Sequence, residues 1–150
     1  MTQEEFIGIL DNEGYSYEIE GDKIIITGDG DVDLDDLTSL PPGVVFRNEH
    51  TVDLDDLTSL PPGVEFRNGD HVFLRSLISL PPDVEFKNGC DVYLYSLTSL
   101  PPGVEFKNRG DVYLKSLIGG WYNDLGGNIK IKGIDSKRLL NLMIKKGMFI

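Results

Sequence analysis

The segment Leu37-Thr38-Ser39-Leu40-Pro41-Pro42-Gly43-Val44 returns at Leu57–Val64, Leu77–Val84 and Leu97–Val104, each time twenty residues on. The departures are small: Ile78 replaces Thr and Asp83 replaces Gly. A unit this short has no interior of its own, so its apolar side is buried only when neighbours stack on it. A strict period of this length therefore predicts a solenoid, in which sequence order becomes spatial order.

The blocks 31–50, 51–70, 71–90, 91–110 and the incomplete 111–120 align without a gap. Apolar residues fall in columns, among them Val32/Val52/Val72/Val92/Val112, Leu34/Leu54/Leu74/Leu94/Leu114 and Phe46/Phe66/Phe86/Phe106. The Val-x-Leu and Val-x-Phe pairs alternate with polar residues at period two, which predicts two short strands per coil with one face buried. Pro-Pro followed by Gly43, Gly63 or Gly103 reads as the corner between them, because proline has no N–H to donate and glycine permits an unusual turn. The second corner follows Asn48, Asn68, Asn88 and Asn108, a column that reads either as an amide ladder or as separate turn residues.

The ends leave the period, as exposed strand edges require. Thr2-Gln3-Glu4-Glu5 predicts a capping box opening a helix, with Phe6, Ile7, Ile9 and Leu10 on its apolar side and a stop near Gly14. Tyr15, Tyr17 and Ile19 then alternate up to a hairpin turn at Gly21-Asp22, and Ile24 and Ile26 fall twenty residues before Val44 and Phe46. Toward the C-terminus Ile129, Ile131 and Ile134 repeat the spacing of Val112, Leu114 and Leu117. That predicts a final coil after the irregular 119–127 stretch, then a helix from about Ser136 to Lys146 whose Leu139, Leu140, Leu142, Met143 and Ile144 form a lid.

A length of 150 residues suits one domain: a cap over 1–30, repeats over 31–120 and a second cap over 121–150. The N-terminus is acidic rather than basic and apolar, no stretch is long enough to span a membrane, and the lone Cys90 fits a reducing compartment. These features predict a soluble cytoplasmic protein. The net charge of −11 is unevenly spread. Residues 1–70 hold eighteen Asp and Glu against Lys23, Arg47 and Arg67, whereas residues 71–150 hold eleven Lys and Arg against seven acids. The chain is acidic at one end and mildly basic at the other, which argues against direct nucleic-acid binding.

With Val32 and Leu34 inward, Asp33 and Asp35 point outward, and Asp53 and Asp55 lie beside them one coil on, with Asp36 and Asp56 extending the cluster. Strands about 4.8 Å apart make facing carboxylates repel. A basic partner surface, a divalent cation or plain solvation would each offset that repulsion, but calcium-loop signatures are absent and no metal site is assigned. Further along the same face come Phe73 and Arg75, then Tyr93 and Tyr95, then Tyr113 and Lys115. Exposed aromatics and arginine on a flat sheet are typical anchors of protein recognition. Cross-strand stacking that stabilises the ladder is the plainer reading, and a carbohydrate platform near Trp121 and Tyr122 is a third. The columns Glu65/Glu85/Glu105 and Arg47/Arg67/Lys87/Lys107 on the other strand read as an ordinary charged surface.

Catalysis finds no support, because no nucleophile has a base in view. His50 and His71 lie in adjacent corner phases without a third ligand, and the glycines near 119–127 lack the Lys-Ser/Thr of a phosphate loop. Ser76, Ser96 and Ser116 share a column with Asp36 and Asp56, a turn position. No cofactor is expected.

Leu97-Thr98-Ser99-Leu100-Pro101, repeated at twenty-residue spacing over residues 31–120, resembles the short leucine-rich repeats of bacterial effector proteins. The longer Leu-Thr-Ser-Leu-Pro-Pro-Gly-Val-Glu-Phe-Lys-Asn resembles repeat proteins of bacteria and their phages. The first resemblance implies a curved solenoid that binds proteins. Val92-Tyr93-Leu94 lacks the asparagine that family places after its strand, which leaves a flatter two-faced β-solenoid open. The expectation is a non-enzymatic solenoid binding a protein partner through Asp33, Asp35, Asp36, Asp53, Asp55, Asp56, Phe73, Arg75, Tyr93, Tyr95, Tyr113 and Lys115, with weak self-association left open beside it. Two alternatives stand beside it. One is an acidic inhibitor of the phage anti-defence type, imitating a nucleic-acid backbone to block a basic nucleic-acid-binding enzyme; the other is sugar binding on the tyrosines.

Overall fold

Each twenty-residue block closes into one coil because two short strands are separated by corners that neither can continue through. The computed structural model describes residues 1–114, 116–117, 130–131 and 140–148. At one corner the Pro-Pro pair is followed by Gly43, Gly63 and Gly103 with φ of 79°, 81° and 90°, a left-handed conformation that costs glycine nothing. Asp83 adopts it too, at φ 67°. At the other corner the asparagine column is buried. Each coil also carries a tight turn just after its Val-x-Leu strand, closed by the N–H of Leu37, Leu57, Leu77, Leu97 or Leu117 on the carbonyl three residues back.

Helix α1 (Gln3–Glu13) opens the chain with the expected capping box: Thr2 Oγ1 accepts the Glu5 N–H at 3.1 Å, and Glu5 Oε2 accepts the Thr2 N–H at 3.0 Å. Left-handed Gly14 ends it. Strands β1 (Tyr17–Glu20) and β2 (Lys23–Ile26) form the hairpin, and β3 (Val32–Asp33) begins the second face. Thereafter successive strands alternate between two sheets: β4 (Val44–Phe46), β6 (Glu65–Phe66), β8 (Glu85–Phe86) and β10 (Glu105–Phe106) in one, β5 (Val52–Asp53), β7 (Val72–Phe73), β9 (Val92–Tyr93) and β11 (Val112–Tyr113) in the other. A last strand, β12 (Lys130–Ile131), follows. The first sheet runs β1-β2-β4-β6-β8-β10 and the second β12-β11-β9-β7-β5-β3. The pairings between coils are parallel and in register at twenty residues, starting with Ile24 on Val44 and Ile26 on Phe46. The fold is a two-faced β-solenoid.

The interior is the set of columns predicted from the repeat. Val, Leu and Phe positions from Val32 to Leu117 are almost all buried, and Phe46, Phe66, Phe86 and Phe106 stack face to face with centroids 5.3, 5.2 and 5.0 Å apart. Phe6 and Leu10 of α1 close one end of this core, with Ile7 and Ile9 packed beside them. The asparagines do not ladder with one another. Each Nδ2 instead reaches backbone carbonyls: for Asn68 those of Asp70 and His71 in the next corner and of His50 one coil back, at 3.4, 2.9 and 3.0 Å.

Two expectations at the C-terminal end are corrected. β12 pairs antiparallel with β11, Val112 opposite Ile131 and Tyr113 opposite Lys130, so it caps the sheet edge and does not begin another parallel coil. Of the lid residues, Leu140 and Ile144 are buried and Met143 is half-buried, but Leu142 is 48% exposed. The helix is described over residues 140–145, with left-handed Gly147 just beyond; Ile118, Trp121, Tyr122, Ile129, Ile134, Ser136 and Leu139 lie outside the described residues. No described helix is long and apolar enough to cross a membrane.

Candidate functional site

The second sheet sets the outward residues of successive coils side by side. Its register places Asp33 on Asp53, Asp53 on Phe73, Phe73 on Tyr93 and Tyr93 on Tyr113, one continuous row that changes from acidic to aromatic. Asp35, Asp55, Arg75 and Tyr95 lie two residues further on. They belong to the turns rather than the strands, a correction to the sequence expectation of one flat strand face. Asp36 and Asp56 share those turns and are exposed, and Lys115 lies outside the described residues.

The turn explains part of the carboxylate row. Asp33 Oδ1 accepts the Asp35 N–H at 3.3 Å, and Asp53 Oδ1 accepts the Asp55 N–H at 3.1 Å, the local capping for which aspartate is favoured. Asp55 is held from the next coil, its carboxylate taking the Arg75 N–H at 2.9 Å and lying 3.4 Å from the Arg75 guanidinium. Repulsion acts on the other carboxylates. The Asp35 carboxyl is raised above its ordinary range, first by the charge of Asp33 and then by its own desolvation, with Asp36 and Asp56 adding to it. The Asp53 carboxyl is raised by burial and then by the charge of Asp55.

The aromatic part is locked. Phe73 stacks on Tyr93 with centroids 4.6 Å apart, and Tyr93 on Tyr113 at 4.7 Å with planes 2° from parallel. Tyr95 sets its edge against Tyr93 and Tyr113 at 5.8 and 6.2 Å, and the Arg75 guanidinium lies 4.6 Å from the Phe73 ring centre. The Tyr93 hydroxyl donates to Asp91 at 3.3 Å. Burial, followed by the Asp91 charge, pushes that phenol up to about 12. The rings of Phe73, Tyr93 and Tyr113 face one another, and the stripe is half-exposed. A sugar platform would need an open ring face, and stacking between coils takes up the faces of Tyr93.

On the other sheet the charged columns pair as expected, with Lys87–Glu85 at 2.8 Å, Lys107–Glu105 at 2.9 Å and Lys107–Glu85 at 3.7 Å. Lys23 also reaches Glu65 at 4.0 Å across β4, whose outward Val45 is buried.

A feature not foreseen from the repeat lies beside the acidic end. Glu5, Ile9, Asn12 and Glu13 of α1 line an open cleft of about 680 Å³ together with Asp33, Asp35 and Asp36, so two further acidic residues border the cluster. The twenty-residue register does not extend to α1, and no local pattern links Glu5 to Asp33. From the neighbouring corner His71 packs its ring against Phe73 and Tyr93, and Asp91 holds the Tyr93 hydroxyl. Compared with known protein families, with curated proteins and with solved structures, the chain matches none.

Proposed function

We propose that this solenoid is a non-enzymatic binding protein that offers its acidic-to-aromatic face to a protein partner. The observation that carries the reading is the unbroken row Asp33-Asp53-Phe73-Tyr93-Tyr113, whose aromatic members are held rigid by mutual stacking while they stay half-exposed. Rigid aromatic side chains give up little entropy on binding, and Arg75 beside them supplies the other residue type common at binding hot spots. Cross-linking in host lysate compares the wild type with Tyr93→Ala/Tyr113→Ala and with Asp33, Asp35, Asp53 and Asp55 changed to Asn. Loss of one defined partner in the aromatic variant, with the fold intact by circular dichroism, supports the reading. Retention of that partner overturns it.

The acidic cleft favours a second reading, an inhibitor whose carboxylates imitate a nucleic-acid backbone. Glu5 and Glu13 widen a cluster that two coils alone would make short. Carboxylates on neighbouring strands, about 4.8 Å apart, approach the spacing of phosphates along a strand. Capture of a basic nucleic-acid-binding enzyme that survives the aromatic substitutions but is lost with the Asp→Asn set selects this reading.

A further inference from the structure

Stacking of consecutive coils brings together three side chains that the sequence holds apart. Asp70 and Cys90 occupy the same phase of neighbouring coils, and His71 follows Asp70 at the start of the next strand. One donor atom from each, a carboxylate oxygen, an imidazole nitrogen and the thiol sulfur, lies within 4.8 Å of the other two. The donors gathered around His71 are thus Asp70 and Cys90, not the exposed His50.

The imidazole is held in place by its neighbours. Its Nδ1 accepts the backbone N–H of Asp91 at 3.4 Å, a place filled by Asp31 toward Thr51 and by Asp91 toward Asp111 in other coils. That bond places the proton of the neutral ring on Nε2, 3.4 Å from Asp70 Oδ1, so a metal at Nε2 requires that proton to leave and Nδ1 to take one up on the side of Asp91. The ring is further held by Phe73 and Tyr93, at centroid distances of 5.8 and 5.9 Å, and the Asp91 carboxylate lies 3.7 Å from Nδ1. In a metal-bound form Nδ1 would carry the proton and donate to this carboxylate, the outer contact that orients metal-bound histidines, and the Asp91 N–H would give up its bond to the ring.

We propose that Asp70, His71 Nε2 and Cys90 Sγ form a zinc site that clips the coil 51–70 to the coil 71–90. The donor set selects the metal. Thiolate with imidazole suits zinc, whereas magnesium and calcium take oxygen ligands. Donors around a tetrahedral zinc are roughly 3.3–3.8 Å apart, so the half-exposed side chains close in by about 1 Å, and the fourth position is left to water. Because the site is assembled by coil stacking, bound zinc favours the stacked state by mass action.

The test uses the reduced full-length protein titrated with Co²⁺ and then Zn²⁺. Cys90 is the only cysteine of the chain, so a thiolate-to-cobalt charge-transfer band reports on it alone. The expected result is one equivalent of cobalt with that band and the visible absorption of a tetrahedral ion, both erased by zinc. Cys90→Ser removes the band, and Asp70→Ala and His71→Phe each weaken binding at least about tenfold. His71→Phe keeps an aromatic ring against Phe73 and Tyr93, and circular dichroism confirms the fold of each variant. No thiolate band at saturating cobalt, or a band of unchanged affinity in His71→Phe or Asp70→Ala, overturns the proposal.

Discussion

The hydroxyl of Tyr15 lies against the backbone of Asp33, accepting its N–H and donating to its carbonyl, both at 2.9 Å. At the far end of the other sheet the amide of Asn141 does the same to Phe106, with Oδ1 taking the N–H at 2.7 Å and Nδ2 reaching the carbonyl at 3.0 Å. Among the described residues the outermost strands are β1 and β10 in one sheet and β12 and β3 in the other. β1 and β12 are added antiparallel, and single side chains hold the outward backbone of β3 and β10. An unprotected parallel edge is a template for adding another chain.

Tyr15→Phe is therefore expected to cost about 1–2 kcal/mol by loss of two hydrogen bonds, read from urea unfolding, and to bring concentration-dependent association seen by light scattering. Asn141→Asp keeps an acceptor for the Phe106 N–H but sets a carboxylate against its carbonyl, so it should cost at least as much. Unchanged stability in both variants contradicts the edge-closing role.

Asn68 ties the carbonyls of His50, Asp70 and His71 together inside the stack. Asn68→Ala strands buried acceptors, and a loss of about 2–4 kcal/mol is expected in equilibrium unfolding. The carbonyl oxygens of Asn48, Asn68 and Asn88 have no hydrogen-bond partner among the described residues, so the stabilisation comes through the NH₂ side. Asn68→Asp, which lacks that donor, is expected to be no better than alanine.

Gly103 has φ 90°, and a β-carbon there would run into the Asp83 carboxylate. Gly103→Ala should destabilise by more than about 1 kcal/mol. Adding Asp83→Gly should recover the steric share but not the backbone share, a coupling that a double-mutant cycle measures. Additive effects would show that the two corners do not touch.

Asp53 gives a pH signature. Its folded-state carboxyl is raised above the ordinary 3.8 by burial and by Asp55, so at neutral pH its charge opposes folding. As pH falls through the raised value the folded state takes up the proton first and the penalty fades; below 3.8 both states are protonated and no difference remains. Asp53→Asn, which retains an acceptor for the Asp55 N–H, should stabilise at pH 7 by a few tenths of a kcal/mol to about 1 kcal/mol. That gain should disappear below pH 3.8, as thermal unfolding across pH would show.

The period made the columns, both strands of each coil, the Pro-Pro-Gly corner and the N-terminal cap legible, because each follows from spacing or from a capping motif. The spacing of Ile129, Ile131 and Ile134 misled, since alternation marks a strand but carries no direction, and β12 runs antiparallel. Leu37, Leu57 and their equivalents close a turn through a backbone bond, which is why Asp35 and Tyr95 left the strand they were expected to occupy. Tyr15 and Asn141 were opaque for another reason: they serve backbone groups at sheet edges, and a sequence does not print which N–H and C=O a fold leaves unpaired. The residues of the acidic-to-aromatic row were readable, whereas Glu5 and Glu13 joined them only through the packing of α1.

Asn48, Asn68 and Asn88 reach carbonyls of their own coil and of the coils directly before and after, and the phenylalanines stack on those of adjacent coils. Excising residues 71–90 as a block, or duplicating them, would keep every such fastening between like neighbours and both end closures. Removal of any number of residues that is not a multiple of twenty would put the two sheets out of step. The molecule is thus graduated like a ruler, and the reach of its outer face can be lengthened or shortened in whole marks without redesigning either end.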